Sequence, residues 1–393
     1  MHRTLCGRIL RARARVQLSA AALLWLVPAA VGGAQPAAAI RIAGTPACPR
    51  CTIERDLVVT LRGNDSALIR ERPTVARDRR GRYFVPDVTP SVLAFDSAGR
   101  FIARIGRRGQ GPGEFPVGIT DIFTGSDDSL YVLGSGAREL SVFGADLRFA
   151  RHLQVPGWGQ DNVVLPVGIV RHMTVGRVGF DPYGIYLTNA AGEVARTLRE
   201  PDSMPPRPGD GRPCAACTSR TLAAGREGRT VWTASRSRYE IEQIDVDGRL
   251  QRRVVVLESR WLITTAAESG ADAPYGSTRP GSGIRGVAEA LDGRLWVAGT
   301  TTALDWKPLE NPPARPTGRG ISRIPPDVVE HGERYRATII DLLDPRTGRL
   351  LVSHRFDHEA IELLGGDLAW AAREDADGNT LIDVWRLRVV EAR

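Results

Sequence analysis

The chain has 393 residues, of which 42% are hydrophobic, so it is long enough to bury a large core. Its formal net charge of +8 at pH 7 and its pI of 9.7 are typical of a nucleic-acid-binding protein. Five arginines and no acidic residue lie within residues 1–34, however, and the rest of the chain carries a net charge of only about +3. We therefore exclude a nucleic-acid partner.

Residues 1–34 have the pattern of a secretory signal peptide. The arginines come first, an apolar run follows at residues 18–27, and Gly33 and Ala34 supply the small residues of a cleavage site. The apolar run is too short to span a membrane comfortably. We predict an exported protein, periplasmic or extracellular, with no transmembrane span after signal cleavage. Residues 35–55 are predicted to form an N-terminal tail.

A short turn that leads into a β-branched or aromatic strand recurs along the chain, and this repeat predicts the fold. Clear copies occupy residues 80–85, 128–132, 227–232, 292–297 and 366–370. The aromatic residues Tyr131 and Trp232 of the second and third copies lie 101 residues apart. This gap has room for one more unit of about 40 to 50 residues. We therefore predict a sixth, divergent copy between them.

A second hairpin follows most of these first turns, with Asp or Asn and then Gly between two apolar strands. Glycine adopts the positive φ that such tight turns require. These hairpins span residues 95–101, 187–194, 244–250 and 343–350, and the one at 187–194 belongs to the divergent copy. Two hairpins per unit make a four-stranded antiparallel sheet, and six such sheets that pack on their neighbours form a closed ring. The predicted fold class is all-β, a six-bladed β-propeller.

The two ends of the repeat region complement each other. Residues 56–63 form a single predicted strand ahead of the first blade, whereas the last blade, from about residue 359 to 390, shows three strands rather than four. A propeller closes when both termini contribute strands to one blade, because this removes an exposed sheet edge. We therefore predict one propeller domain over residues 56–393, in which the N-terminal strand completes the last blade.

The most specific motif lies at residues 105–116. It reads Ile-Gly at its start, then Gly109, Gly-Pro-Gly at 111–113, Glu-Phe and Pro116. A phosphate-binding loop is excluded, because proline within it prevents a helix with free N-terminal amides and no Gly-Lys-Ser/Thr is present. The motif resembles the inter-blade crossover of NHL-type six-bladed propellers. That resemblance implies binding of proteins, RNA or small ligands through loops and channel mouths.

Related six-bladed propellers include lactonases and other hydrolases that use a metal ion in the central channel. That resemblance would require Glu, Asn and Asp at channel positions, and the blade starts of this sequence do not show the set. The sequence also lacks Gly-x-Ser-x-Gly and His-Glu-x-x-His. We predict a non-catalytic binding or scaffold propeller without a cofactor. The alternative is a propeller hydrolase or lyase with a channel metal ion.

Four cysteines of the mature chain form two Cys-x-x-Cys pairs, Cys48 with Cys51 and Cys214 with Cys217. Export favours their oxidation to disulfides, for which three connectivities exist. A structural metal ion has the same ligand count, although the separation of the pairs is larger than in a zinc ribbon, and free or redox-active thiols are the third alternative. Haem attachment is excluded because Thr follows each pair where His is required.

Polar residues recur at one level of the innermost strands, eight residues before the first-turn positions Ser129, Gly228, Gly293 and Gly366. They are Asp121, Arg220, Arg285 and His358. Because the innermost strand of each blade lines the channel, we predict a polar ring at the channel mouth whose two arginines favour an anionic ligand. The alternatives are that Asp121 and an arginine pair with each other, or that strand parity points these side chains into the interface between blades.

Two segments interrupt the repeat, residues 260–283 and the proline-rich residues 303–334, and both are assigned to the fifth blade. Insertions in repeat proteins lie on one face and often bind partners. We predict that a loop of this face presents Trp261 or Trp306 to an unknown protein or small molecule. Each tryptophan is equally consistent with a ring that caps the edge of a blade. We expect a monomer.

Overall fold

The structure is a computed structural model that describes residues 39–64, 66–135, 139–174, 181–204, 215–257, 259, 261, 276–277, 279–313 and 325–391. The predicted signal peptide, Cys214 and the middle of both predicted insertions lie outside these residues. Within them, 25 strands form six sheets, accompanied by one α-helix and a short 3-10 helix at Ala215–Thr218. No helix in this part of the chain is long and apolar enough to cross a membrane.

The first two strands, β1 (Ala39–Ala43) and β2 (Cys51–Arg62), join sheets that form later in the chain. The next twelve strands form three antiparallel sheets in chain order. Blade 1 comprises β3 (Ala76–Arg77), β4 (Tyr83–Pro86), β5 (Val92–Phe95) and β6 (Phe101–Ile105). Blade 2 comprises β7 (Ile119–Thr124), β8 (Leu130–Gly134), β9 (Glu139–Phe143) and β10 (Phe149–Gln154). Blade 3 comprises β11 (Trp158–Leu165), β12 (Gly168–Thr174), β13 (Gly184–Thr188) and β14 (Val194–Arg199).

The second half of the chain forms the other three sheets. Blade 4 comprises β15 (Arg220–Ala224), β16 (Thr230–Ser235), β17 (Glu240–Asp245) and β18 (Leu250–Leu257), with β1 parallel to β18 as a fifth strand. Blade 5 comprises β19 (Gly283–Glu289), β20 (Leu295–Thr302), the helix α1 (Pro326–Arg334), β21 (Arg336–Asp344) and β22 (Arg349–Asp357). Blade 6 comprises β23 (Glu362–Gly365), β24 (Leu368–Glu374), β25 (Thr380–Glu391) and β2. The predicted closure by an N-terminal strand and the predicted divergent unit, which is blade 3, are confirmed.

A separate apolar cluster fills each interface between neighbouring blades. Phe84 packs with Ile122 between blades 1 and 2, and corresponding clusters join blades 2 and 3, 3 and 4, 4 and 5, and 5 and 6. The sixth cluster contains Leu61 of β2 and Val85 of β4, so it joins blade 6 to blade 1. Successive residues of one strand face opposite neighbours, which is why the two middle strands of blade 1, β4 and β5, are apolar and buried at every position. The six sheets therefore form a closed ring, and the six-bladed propeller is confirmed.

The recurring aromatic residue of each unit packs against the next blade. Trp232 of blade 4 donates a hydrogen bond from Nε1 to Glu289 of blade 5 at 2.8 Å, and Trp296 of blade 5 donates one to Asp367 of blade 6 at 2.8 Å. In blade 3, Val170 contributes to the equivalent cluster towards blade 4. This aliphatic residue explains why the third unit is the divergent copy.

The motif at residues 105–116 is the connection between blades 1 and 2, as predicted. Gly106 has a φ of +71°, and a Cβ there would lie 2.4 Å from the ring of Phe115, which is buried in the cluster between these blades. The Glu114 carboxylate accepts hydrogen bonds from the Gly111 amide at 2.9 Å and from Arg107 at 2.7 Å. The glycines therefore allow the chain to fold tightly around one phenylalanine and one carboxylate.

The N-terminal segment crosses the outer edges of three successive blades. Strand β1 pairs with β18 of blade 4, the amides of Ala47 and Cys48 donate to carbonyls of β22 in blade 5, and β2 completes blade 6. Residues 35–55, predicted as a tail, thus contain one strand and the beginning of another. These pairings cover sheet edges that would otherwise be open to aggregation.

Cys48 and Cys51 form a disulfide at the turn between blades 5 and 6, with a Cα–Cα distance of 5.3 Å. Cys217 is also disulfide-bonded, whereas Cys214 lies outside the described residues. We expect the four thiols of exported protein to resist iodoacetamide until a reductant is added, because disulfide sulfurs cannot be alkylated. Mass spectrometry of the intact chain before and after reduction measures this. Alkylation of all four cysteines in non-reduced, metal-free protein would contradict it.

Face A of the ring is defined here as the face where the innermost strands β3, β7, β11, β15, β19 and β23 begin, and face B as the opposite face. The strand ends that flank both predicted insertions lie on face A, because strand directions alternate within each blade. Residues 303–335 connect β20 to β21 within blade 5, but residues 258–282 connect β18 to β19 and so lie between blades 4 and 5. The predicted assignment to the fifth blade therefore holds for the second insertion and is wrong for the first, which connects two blades.

Candidate functional site in the central channel

Side chains from all six blades line a cavity of about 270 Å³ in the channel, on the side of face A. In blade order they are Thr74, Asp121, Asp161, Thr221, Arg285 and Glu362, and Arg236 reaches the same cavity from the loop between β16 and β17. This volume lies just below the usual range of small-molecule sites, about 300–1,000 Å³. It therefore suits a small polar molecule rather than a folded partner.

Three of these side chains, Asp121, Asp161 and Arg285, lie at irregularities in the strand pairing. The pairing register shifts between Ile119 and Asp121 in blade 2, between Gly159 and Asp161 in blade 3, and between residues 284 and 286 in blade 5. Such bulges bend a strand and redirect a side chain, and they are frequent beside functional sites. Three blades thus interrupt their innermost strand at the level of the cavity.

Asp161 of blade 3 accepts three hydrogen bonds, two of them from blade 4. Its carboxylate accepts from the Asn162 amide at 3.0 Å, from the Thr221 hydroxyl at 2.8 Å and from the Leu222 amide at 3.0 Å. Burial raises the pKa of Asp161, whereas these donors and Arg236 oppose the rise. Three of the roughly four acceptor sites of the Asp161 carboxylate are therefore used within the protein.

Asp121 has fewer hydrogen-bond partners. One oxygen accepts from the Ile122 amide at 2.9 Å, and the other accepts from the Asn162 side-chain amide at 2.9 Å. Burial raises the pKa of Asp121 to about 6, with the Asn162 hydrogen bond opposing the rise and the nearby charge of Asp161 adding to it. Perturbed carboxyl groups of this kind are concentrated at functional sites.

Arg171 holds Asn162 in place from inside blade 3. This fully buried guanidinium donates to the Asn162 side-chain oxygen at 2.9 Å and to the Pro156 carbonyl at 3.0 Å. Asn162 must therefore present its NH₂ group to Asp121, because its oxygen is already used. The chain of bonds from Arg171 through Asn162 to Asp121 fixes the acidic wall of the cavity.

Arg236 and Arg285 form the opposite, basic wall. Arg285 donates from Nε to the Thr300 hydroxyl at 3.3 Å, and among the described residues neither arginine has a carboxylate partner at salt-bridge distance. Burial lowers the pKa of Arg285, the neighbouring charges of Arg236 and Arg336 lower it further, and the charge of Glu362 opposes this decrease. Within the same described residues, Nε of Arg236 and the hydroxyl of Thr74 are buried without a hydrogen-bond partner. Such atoms require a ligand or water to satisfy them.

The structure brings two of the four residues of the predicted polar ring to the cavity. Asp121 and Arg285 line the cavity, but Arg220 is buried in blade 4, where it donates to Thr233 and Glu242 at 3.0 Å each. Strand alternation places its neighbour Thr221 in the channel and Arg220 between blades, as the parity alternative stated. His358 lies outside the strands, with its Nδ1 2.7 Å from the Arg334 carbonyl and its Nε2 3.3 Å from Asp305.

Sequence reasoning missed Thr74, Asp161, Thr221, Arg236 and Glu362. A fixed offset from the first turn fails where the innermost strand differs in length, by one residue for Thr221 and by four for Glu362. No sequence pattern indicated Asp161, because the first turn of blade 3 does not match the repeat. Arg236 belongs to the loop at the other end of the second strand, so no count along the first strand finds it.

The two tryptophans of the predicted loop face have different positions. Trp261 is buried between blades 4 and 5, where its Nε1 donates to Asp341 at 2.9 Å, so it is a core residue and not an exposed contact. Trp306 is half-buried and makes a T-shaped ring contact with His331 of α1 at 6.5 Å. A role of Trp306 in binding stays a prediction.

A second, wider cavity of about 950 Å³ opens on face B. It is lined by the ends of the innermost strands and by the first turns, including Arg79, Arg226, Leu291 and Asp367. No group of three or more His, Cys, Asp or Glu side chains that could hold a metal ion occurs among the residues that the structure describes.

Comparison with known proteins supports the fold. A family model described as a 6-bladed beta-propeller matches residues 57–163, which run from β2 into β11. A crystal structure of a member of the DUF4221 family from Bacteroides vulgatus superposes with a TM-score of 0.57 and 8% identity, covering 87% of this chain and 99% of that chain. At this identity the similarity shows the fold alone. No curated protein matches the sequence.

Two further solved structures are more distant. A candidate exported protein from Bacteroides fragilis superposes with a TM-score of 0.49 and 12% identity, covering 91% of this chain and all of that chain. Virginiamycin B lyase from Staphylococcus aureus superposes with a TM-score of 0.43 and 12% identity, covering 85% and 99% of the two chains. Neither similarity is close enough to indicate a function for this chain.

Proposed function

We propose that this protein is a binding propeller that holds a small anionic ligand in the channel cavity on the side of face A. The observation that carries the proposal is the pair of channel arginines, Arg236 and Arg285, which face the cavity without a carboxylate at salt-bridge distance among the described residues. Guanidinium groups bind carboxylates and phosphates through charge-assisted, often bidentate hydrogen bonds.

The rigidity of the cavity walls favours ligand binding. The cavity walls are strands of a closed ring, and the acidic wall is fixed by hydrogen bonds between blades 2, 3 and 4. A rigid wall loses little conformational entropy when a ligand binds, so more of the interaction energy is available for affinity.

We also propose that the protein is exported and has NHL-type repeats. The leader pattern at residues 1–34 and the Cys48–Cys51 disulfide support export, because disulfides persist in oxidising compartments. The glycine-rich crossover supports the repeat type. A protein partner that contacts the insertions of face A, including Trp306, remains part of the proposal, as does a monomeric state.

Substitution of Arg285 by Gln is expected to weaken binding of the tightest anion about 10- to 100-fold, because one charge-assisted contact is lost in a partly desolvated site. Arg236→Gln should have a similar effect. The measurement is isothermal titration of purified protein with inorganic phosphate and a panel of mono-, di- and tricarboxylates. Arg148→Gln is the matched control, because this side chain is 88% exposed on blade 2.

Equal affinities in the wild type and both channel variants would place the anion elsewhere and contradict the proposed site. Metal-dependent hydrolysis of lactones or esters by the purified protein would instead favour the hydrolase alternative. The thermal transition of each variant should stay within a few degrees of the wild type, which separates loss of binding from loss of fold.

A further inference from the structure

The carboxylate of Asp121 lacks a cationic partner at salt-bridge distance among the described residues. Its hydrogen-bond donors are one backbone amide and one side-chain amide, both neutral, and Arg171 acts on it only over a longer distance. A partly buried carboxylate without a cation is unfavourable unless a charge is supplied from outside. Asp161, in contrast, is satisfied by three donors.

The order of the blades places this carboxylate across the channel from the basic wall. In a ring of six, blade 2 lies opposite blade 5, so Asp121 faces Arg285 across the cavity. Among the described residues, Asp121 thus has no cation at salt-bridge distance, and neither arginine of the opposite wall has a carboxylate at that distance, although Glu362 lines the cavity beside Arg285. A single ligand that carries both charges would satisfy the two walls together.

We propose that the ligand of the channel cavity is a small zwitterion of amino-acid size, with its carboxylate on Arg236 and Arg285 and its ammonium group on Asp121. This inference rests on the proposed function and specifies its ligand class. The Thr74 hydroxyl, which is buried without a partner, supplies one more contact beside Asp121.

A dianion is disfavoured by the same geometry. A second carboxylate placed opposite the arginines would meet Asp121, and two like charges at short range in a partly desolvated site repel each other. A simple cation is disfavoured because it would leave both arginines unpaired. The cavity volume of about 270 Å³ accommodates a free amino acid and excludes a folded domain.

The test compares each amino acid with the same molecule lacking its amino group. Alanine is paired with propionate, γ-aminobutyrate with butyrate, and glutamate with glutarate, and each is titrated into the mature protein at pH 7.5. We expect at least one zwitterion to bind about tenfold or more tightly than its deaminated partner. In Asp121→Asn this ratio should fall to about one, whereas Arg285→Gln should weaken both members of the pair.

A second measurement avoids dependence on a variant. The charged or titratable groups nearest to Asp121 are Asp161 and Arg171, and Arg236, Arg285 and Glu362 line the same cavity. Burial raises the pKa of both Asp121 and Asp161. As the pH falls from 7.5 to 5, Asp121 takes up a proton and the wild-type preference for the zwitterion should decline. In Asp121→Asn the ratio should not change with pH.

The outcomes separate this inference from the proposed function. Carboxylates that bind the arginines with no gain from an amino group in any pair would overturn the zwitterion and leave the anion site standing. Absence of binding by every probe would overturn both. A preference for the zwitterion that persists unchanged in Asp121→Asn and at pH 5 would show that Asp121 does not hold the ammonium group.

Discussion

Deletion of residues 39–62 is expected to abolish cooperative unfolding. Strand β2 buries Ile53, Val59 and Leu61 in the clusters on both sides of blade 6, and each such side chain contributes about 2 kcal/mol. Its loss removes much of the total stability of a typical domain, about 5–15 kcal/mol, and exposes β25 as an open edge. Thermal unfolding followed by circular dichroism, with light scattering to detect aggregation, measures the effect.

A shorter deletion is the matched control. Removal of residues 39–50 takes away β1 and the contacts with blade 5 but leaves β2, so the transition should occur at a lower temperature and remain cooperative. Two point variants refine the comparison. Leu61→Ala should lower the free energy of unfolding by about 2–5 kcal/mol, whereas Leu57→Ala, at a position 60% exposed on the same strand, should change it by less than about 0.5 kcal/mol. A cooperative transition in the 39–62 deletion would show that closure of the ring does not require β2.

A buried carboxylate joins blades 4 and 5 on the side away from the channel. Asp341 of β21 accepts hydrogen bonds on one oxygen from the Tyr239 hydroxyl at 2.7 Å and from Trp261 Nε1 at 2.9 Å. All three side chains are buried, and the two rings pack edge to face at 5.8 Å. Trp261 also packs on Gly299, where a Cβ would lie 1.9 Å from the indole.

Asp341→Ala is expected to lower the free energy of unfolding by about 3–5 kcal/mol, because it leaves a buried hydroxyl and a buried indole N–H without an acceptor. Urea unfolding measures the change. Asp341→Asn keeps one acceptor oxygen and should have a smaller effect. In a double-mutant cycle, Tyr239→Phe should be less damaging in the Asp341→Ala background than in the wild type, since its partner is already absent. Additive effects would contradict the shared network.

The stability difference between the wild type and Asp341→Asn should also depend on pH. Burial raises the pKa of Asp341 above its ordinary value of 3.8, so the folded state binds the proton more tightly than the unfolded state. Ionisation therefore favours unfolding, and the contribution of this carboxyl to stability falls as the pH rises from about 4 through the folded-state pKa. The Asp341→Asn variant does not lose this contribution, so its free energy of unfolding should rise relative to that of the wild type between pH 4 and 7.

The two insertions illustrate a limit of sequence reasoning about segments outside the repeat. The repeat predicts where regular strands lie, because each unit must supply the same apolar faces to its neighbours. Residues 258–282 and 303–335 do not repeat this apolar pattern, so the sequence does not indicate which blade they belong to. Strand direction assigns them to face A, and this direction is known only after the pairings are known.

The site shows the same division. Asp121 and Arg285 were found by counting along the innermost strand, because the distance from the first turn to the cavity is the same in blades 2 and 5. The count selected Arg220 in place of Thr221, and a shift of one residue moves a side chain from the channel to the blade interface. His358 was selected for blade 6, where a shorter innermost strand brings Glu362 to the cavity.

The sequence by itself determined the six-bladed fold and its closure, since the turn chemistry recurs in five units as a local property of the chain and the spacing of these copies leaves room for the sixth. The paired spacing of the cysteines and the predicted export also favoured a disulfide at Cys48, but its partner, Cys51, is known only from the structure. Only the tertiary structure decided which charges meet. Asp121, Arg236 and Arg285 come from three blades and lie up to 164 residues apart, and their juxtaposition depends on bulges, strand lengths and ring order that no single segment encodes.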